Sequence, residues 1–224
     1  MTETTGRVAL VTGASSGIGA ATARLLAARG MRVVVNYLHS GTAAGEVVAG
    51  IKAANGQAMA VQADVREAAA VESMIKQVQA AWGGIDVLVH NALTPYVIKP
   101  FQDMTWEELG GKLDDEMRAA FTITKAVLPT MTEQGWGRII YLGTGLSRQP
   151  REGMIALGTA KADWRSSPAT SPRNWAREAS RSTSSNPARW RTPAWRMCST
   201  WRSKDSKWPL PPWAAWHTRT TSPR

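Results

Sequence analysis

One cysteine, Cys198, stands among 224 residues. An intrachain disulfide is therefore excluded, and a reducing compartment is expected. Long apolar runs are missing as well, so no segment is expected to span a bilayer. The opening MTETTGRVALVTG has no basic stretch ahead of its short apolar run and does not read as a secretion signal. These features predict a cytoplasmic protein.

A sharper set of absences begins at Trp164. Residues 164–224 contain no Gly, Val, Ile, Phe or Tyr, and Leu210 is their one leucine. They hold 12 Lys+Arg against 2 acids, whereas residues 1–163 carry 15 of each, so the whole net charge of +10 lies in the last 61 positions. Eight of the 11 tryptophans and eight of the 12 prolines lie there too. Such a segment has little to bury against the entropy of ordering it. Two parts are expected: a folded domain over 1–163 and a disordered basic tail rich in Trp, Arg, Ser and Pro over 164–224.

What is present before Trp164 is regular. The runs at 7–12, 31–36, 57–62, 85–90 and 138–143 are β-branched and apolar enough to be strands buried on both faces. Between them, residues 17–30, 42–55, 66–83 and 105–133 carry apolar residues at helical spacing. Gly30, Gly56 and Gly83 stand where left-handed helix ends are expected. Strand–helix alternation of this kind predicts an α/β fold, a Rossmann-type doubly wound parallel sheet with right-handed crossovers. It would stop after its fifth strand.

In VALVTGASSGIGAATARLL, Gly13, Gly17 and Gly19 fall between the first strand and the first helix. Glycine lets backbone approach a pyrophosphate, and the helix start supplies N–H donors and the positive end of its dipole. A tight structural turn without a ligand is the plainer alternative. The strand before and the helix after favour the phosphate loop.

TGxxxGxG after the first strand, ADV after the third and HNA after the fourth resemble the short-chain dehydrogenase/reductase family. VVVNYLHS and GRIIYLG are similar to its 3-oxoacyl-acyl-carrier-protein reductase branch, and the likeness covers residues 5–162. The resemblance implies NAD(P)-dependent hydride transfer between a cofactor and a carbonyl or alcohol, with an acyl thioester as one substrate class. It implies that Gly13, Ser15, Ser16, Gly17, Ile18 and Gly19 hold the pyrophosphate. Asp64 and Val65 would contact adenine, and Asn91 and Ala92 would lie along the ribose. Asp64 also has an ordinary reading as a helix N-cap. Asn36 ends the second strand where an acid would pair with a free 2′-hydroxyl. That favours NADP over NAD, with His39 and Ser40 within reach of a 2′-phosphate.

The family's chemistry implies a tyrosine four residues before a lysine, a serine thirteen residues before that tyrosine, and an asparagine on the preceding long helix. Here Lys161 is the lysine, Leu157 stands at the tyrosine position, Thr144 at the serine position and Glu116 at the asparagine position. Leucine has no proton to give. A branch with longer tyrosine-to-lysine spacing finds Met154. Tyr141, the nearest tyrosine, is expected to point elsewhere. Thr144 keeps a hydroxyl for polarising a substrate oxygen. Lys161 either binds the ribose or is a solvated lysine on a broken helix.

The tail's composition has an explanation in the genetic code. If residues from 164 onward are translated one base out of register, each Trp or Ser codon reports an apolar codon in the neighbouring frame. With third bases chosen among those each codon allows, DWRSSPATSPRNWAREASRSTSSNP can be read as LEVFARYVAQELGPRGITVNIVQP, a helix followed by a strand. The tail is thus expected to be a frameshift product, lacking two strands and the substrate-covering segment. Loss of the family's usual homo-oligomer and an impaired activity follow as expectations. Two alternatives stand beside this: a dinucleotide-binding module without chemistry, and a nucleic-acid or membrane binder acting through the tail. The second is disfavoured because Arg and Trp are scattered without a helical face. No metal site is expected.

Overall fold

The computed structural model describes residues 4–162, all within one compact unit. Expectations about residues 163–224, the tail and its decoding included, lie outside the described residues.

Five strands form one parallel sheet. In chain order they are β1 (Val8–Val11), β2 (Arg32–Tyr37), β3 (Gln57–Gln62), β4 (Val87–His90) and β5 (Arg138–Tyr141). Five helices alternate with them: α1 (Gly17–Ala28), α2 (Gly41–Ala53), α3 (Ala68–Trp82), α4 (Trp106–Glu133) and α5 (Ile155–Ala162). The spatial order is β3-β2-β1-β4-β5, with every pair parallel. The chain moves outward from β1 through β2 to β3, then crosses to the other side of β1 with β4. That reversal opens a crevice at the carboxyl ends of β1 and β4, where ligands of open α/β sheets bind.

The alternation of side chains along each strand divides the core. Val8, Leu10, Val34 and Leu88 face α3 and α4, meeting Met74, Val78, Ile123 and Val127. Ala9, Val11, Val33 and Val35 face α1 and α2, meeting Ala20, Ala23, Val47 and Ile51. Each large side chain so buried contributes about 1.5–3 kcal/mol. Asp86 fixes the start of the sheet: its carboxylate accepts from Val8 N at 2.7 Å and from Arg7 Nη1 at 3.0 Å. Thr105 and Glu108 close a reciprocal cap on α4, which satisfies two amides at its start.

Two expectations need correction. Gly56 does not take the left-handed position after α2; Asn55 does, at φ 59°. Gly56 is needed for space, since a Cβ there would lie 2.8 Å from Ile51 Cγ2 and 3.1 Å from its carbonyl oxygen. Gly30 and Gly83 are left-handed as expected. β5 is not buried on both faces: Ile139 packs on the α3–α4 core, but Ile140 is 50% exposed. Among the described residues, β4 is the one strand that pairs with β5, and no helix is long and apolar enough to cross a membrane.

Candidate dinucleotide site

The loop between β1 and α1 is built by three glycines with different tasks. Gly13 has φ 61°, and a Cβ on it would lie 2.9 Å from Ala92 Cα. A Cβ on Gly19 would meet Gly13 O at 2.5 Å and Asn91 Nδ2 at 2.6 Å. Gly17, at φ 53°, has open space where a side chain would go. Two glycines thus let the loop close onto the end of β4, and the third leaves its outer side bare. Asn91 holds the closure, donating from Nδ2 to Thr12 O at 3.1 Å and to Gly13 O at 2.9 Å. Its amide is spent on the loop. The hydroxyl of Ser16, the N-cap of α1, makes no capping bond, and Ser16, Gly17 and Ile18 are exposed. The first N–H groups of α1 are therefore left for an anion.

Beside this loop lies a cavity of about 300 Å³. Its walls come from the carboxyl ends of four strands: Gly13 and Ser15, residues 36–40, residues 63–66 and residues 92–95. It brings together Asn36, His39, Ser40, Asp64, Val65 and Ala92 from the residues singled out in the sequence. Asn36 is 2% exposed and fully engaged. Its Nδ2 donates to Val61 O and Ala63 O, at 3.4 and 3.0 Å, and its Oδ1 accepts from Gly13 N at 3.3 Å. Its side chain builds the cavity wall. Asp64 is not the N-cap of α3; Glu67 is. Asp64 instead accepts from Arg66, at 2.9 Å from the backbone N–H and 2.7 Å from Nη2. The bonds from the guanidinium hold this carboxyl below the usual carboxylate range. Arg66 also reaches Asp115 of α4 at 2.9 Å, and its two carboxylates push its own pKa up.

At the end of β4, the Thr12 hydroxyl accepts from Asn91 N and Ala92 N, both at 3.0 Å, and lies 3.1 Å from His90 Nδ1. His90 is buried, and burial, followed by the charge of Lys161, pushes its pKa down to about 4.

The next group is charged and dry. Glu116 on α4 lies 2.6 Å from Lys112 Nζ and 2.7 Å from Lys161 Nζ. Burial alone would raise its pKa, but the bonds from Lys112 and Lys161 outweigh that and bring it down to about 2. Glu116 therefore stays ionised and is no proton donor at neutral pH. For Lys112, burial outweighs the carboxylate and lowers the pKa. The alternative of Lys161 as a solvated lysine is overturned: it is buried, at 9% side-chain exposure, with a counter-ion. Leu157, one turn earlier on α5, is buried too.

Thr144 caps a 3-10 turn at Gly145–Ser147, its Oγ1 accepting from Leu146 N at 3.3 Å. That turn packs on α5, where a Cβ on Gly158 would sit 3.4 Å from Leu146 Cβ. Tyr141 binds the Thr124 hydroxyl on α4 and, half-buried, has its pKa raised by burial. Its hydroxyl is thus engaged with α4. A second cavity, about 560 Å³, lies among Phe101, Leu146, residues 150–155 and α5. No residue expected to touch the cofactor lines it.

The profile described as short chain dehydrogenase matches residues 7–201. The chain belongs to the short chain dehydrogenase family. It is 45% identical over 163 residues to a 3-oxoacyl-[acyl-carrier-protein] reductase of Synechocystis sp., covering 72% of this chain and 65% of that protein. The corresponding reductase FabG of Escherichia coli is 32% identical over 163 residues, covering 70% and 62%. Among solved structures, a Burkholderia cenocepacia short chain dehydrogenase in complex with NADP superposes with a TM-score of 0.64 at 35% identity, covering 73% and 66%. An NAD+-bound xylitol dehydrogenase gives 0.67 at 30%, covering 72% and 62%. This dehydrogenase-family chain thus matches somewhat less than two thirds of the length of these curated relatives. The parallel sheet and its glycine loop are the family's fold, as the motifs implied.

Lys112, Thr94, Thr12, His90 and Arg66 join the site without having been singled out by the sequence. For Lys112 a signal existed. Lys112, Glu116, Ala119, Ala120, Ile123 and Val127 run along one face of α4 at helical spacing and are all buried. Opposite charges four apart on an apolar stripe mark a buried pair rather than a solvated one.

Proposed function

We propose that this chain binds NADP through the loop at Gly13–Gly19 and the 300 Å³ cavity, and that it descends from NAD(P)-dependent carbonyl reductases of the 3-oxoacyl type. The carrying observation is the cradle itself: glycines where a Cβ would collide, beside an uncapped helix start. Ser15, Ser16, Gly17, Ile18 and Gly19 would hold the pyrophosphate, Asp64 and Val65 the adenine, Asn91 and Ala92 the ribose backbone, and Lys161 the nicotinamide ribose. Asn36 offers no carboxylate to a 2′-hydroxyl, and His39 and Ser40 share its cavity, which favours NADP with NAD second. When bound, the nicotinamide supplies a hydride.

Around it, the chain's own groups do less than the reductase chemistry asks. Thr144 has a hydroxyl to orient a carbonyl oxygen. Leu157 has no proton to deliver to it, and Glu116 is an anion. Turnover is therefore impaired. A binding module without chemistry is the second reading, and the same leucine favours it. The substrate class is a small carbonyl compound or acyl thioester, with neither nucleic acid nor membrane as partner. The location is cytoplasmic, and an out-of-register tail would cost the chain the family's homo-oligomer. For the tail we retain the out-of-register reading; a neighbouring reading frame in the gene without the decoded helix and strand would end it.

The test is a titration with NADPH and NADH, followed by steady-state oxidation of NADPH with a 3-oxoacyl thioester. Saturable NADPH binding with turnover near background, raised by Leu157→Tyr, supports an impaired reductase. Binding with no turnover, even in Leu157→Tyr, supports the module. No binding of either cofactor overturns both.

A further inference from the structure

The interface of α4 with α5 carries two ammonium groups against one carboxylate, and the carboxylate is pinned asymmetrically. Glu116 Oε1 accepts from Thr94 N at 3.0 Å, Thr94 Oγ1 at 2.9 Å and Lys112 Nζ at 2.6 Å. Lys112 spends its remaining donors on Thr94 O and Thr94 Oγ1, both at 2.7 Å. All three of its N–H bonds are used. With Oε1 held by three donors the carboxylate cannot turn, so Oε2 points in one direction, and Lys161 Nζ lies there at 2.7 Å.

Lys161 is in a different state from Lys112. Glu116 is its one bonded partner among the described residues, so two of its three N–H bonds remain to be matched. Leu157, one turn away on the same helix, has no polar atom to offer. Lys112 and Glu116 cancel in charge, which leaves the charge of Lys161 in excess. The network also borders the cofactor cavity, because Thr94 lines that cavity and holds Glu116. The charges of Lys161 and Glu116 are both felt at His90, where β4 meets the crevice.

We propose that Glu116 is the positioning residue for Lys161: it fixes the ammonium so that the two unmatched N–H bonds serve hydroxyl oxygens of the nicotinamide ribose. This rests on the dinucleotide-binding reading above. The carboxylate does what a phenol at position 157 cannot do here, giving a buried lysine both a counter-charge and a direction. An amide at position 116 would supply a direction without the charge.

Two probes separate this role from general support of the fold. NADPH carries the nicotinamide ribose; adenosine 2′,5′-bisphosphate carries the adenosine half alone. Calorimetric affinities for both are measured on the full chain and on Glu116→Gln, Lys161→Met and the double variant. Glu116→Gln should weaken NADPH about tenfold, the loss expected of one charge-assisted contact, and leave the bisphosphate within twofold. Lys161→Met should do the same, and the double variant should be no worse than Lys161→Met alone. Unchanged NADPH affinity in Glu116→Gln, equal weakening of both probes, or additive losses in the double variant would overturn the proposal. If Glu116→Gln does not fold, Glu116→Asp decides, since it keeps the charge beside Lys112 and draws the carboxylate back from Lys161: loss confined to NADPH supports the proposal, and unchanged NADPH affinity ends it. A wild-type chain that binds the bisphosphate but binds NADPH no better ends this inference and leaves the site reading standing. A chain that binds neither probe ends both.

Discussion

The Thr12 hydroxyl fixes the tautomer of His90. Its oxygen already accepts two backbone N–H bonds, from Asn91 and Ala92. Its single proton is therefore directed at Nδ1 of His90, 3.1 Å away. The imidazole must carry its own proton on Nε2, a buried atom with no partner among the described residues. A second proton on Nδ1 would face a donor, so hydrogen bonding and burial both keep the ring neutral.

This makes His90 a source of acid sensitivity. Its pKa falls from 6.5 to about 4 on folding. The unfolded chain takes up a proton near pH 6.5, whereas the folded chain resists until about pH 4. Stability is therefore complete above pH 6.5 and declines as pH falls toward 4, by about 3 kcal/mol in all. Urea unfolding at several pH values should show that slope in the wild type and lose it in His90→Asn. Equal slopes would refute the assignment.

The glycines of the loop and of α2 should respond in opposite directions. Gly19→Ala places a methyl 2.5 Å from Gly13 O and 2.9 Å from Ala14 Cα, both backbone atoms. It should cost about 1–3 kcal/mol and weaken NADPH binding at least tenfold. Gly45 in α2 has nothing within 4 Å of the same methyl and an ordinary helical backbone. Gly45→Ala should add about 0.5–1 kcal/mol with cofactor affinity unchanged. Thermal melts and a cofactor titration on both variants check this.

Asn36→Asp should fail as a route to NADH preference. The new carboxylate would face the carbonyls of Val61 and Ala63, which now accept from Nδ2. Two buried acceptors would lose their donor, at about 1–3 kcal/mol each. A lowered melting temperature with no gain in NADH affinity is the expected outcome. A stable variant that preferred NADH would show the amide to be dispensable.

The fifth strand should govern self-association. Ile140 is half exposed, on a strand paired on one side among the described residues. An exposed apolar side chain at such a place favours association with other chains. Ile140→Lys should lower light scattering and move the elution profile toward a single species, with NADPH binding retained.

The architecture was legible because strands such as VALV and RVVVNY are too apolar for anything but a buried sheet, and the intervening helices keep a steady period. The glycine loop was legible for the same reason that it works: few residues besides glycine tolerate φ 61° at Gly13 or the crowding at Gly19. Partnerships across the fold were not. Asp64 looks like a cap from its place before α3, but Arg66 beside it competes for the carboxylate and wins. Asn36 looks like a ligand contact from its place at a strand end, yet the loops after β1 and β3 use up its amide. Lys161 looked solvent-facing on a short helix because Glu116, 45 positions earlier, is invisible as its partner until α4 and α5 are laid together.

Among the described residues, the walls of the 300 Å³ cavity lie between Gly13 and Pro95, while α4 begins at Trp106. On the ribosome, the described residues that would surround the adenosine half of a ligand are made before the first turn of the long helix. The part that would grip the nicotinamide half, Lys161 on α5, arrives after α4 is complete. A growing chain could therefore acquire the first grip well before the second.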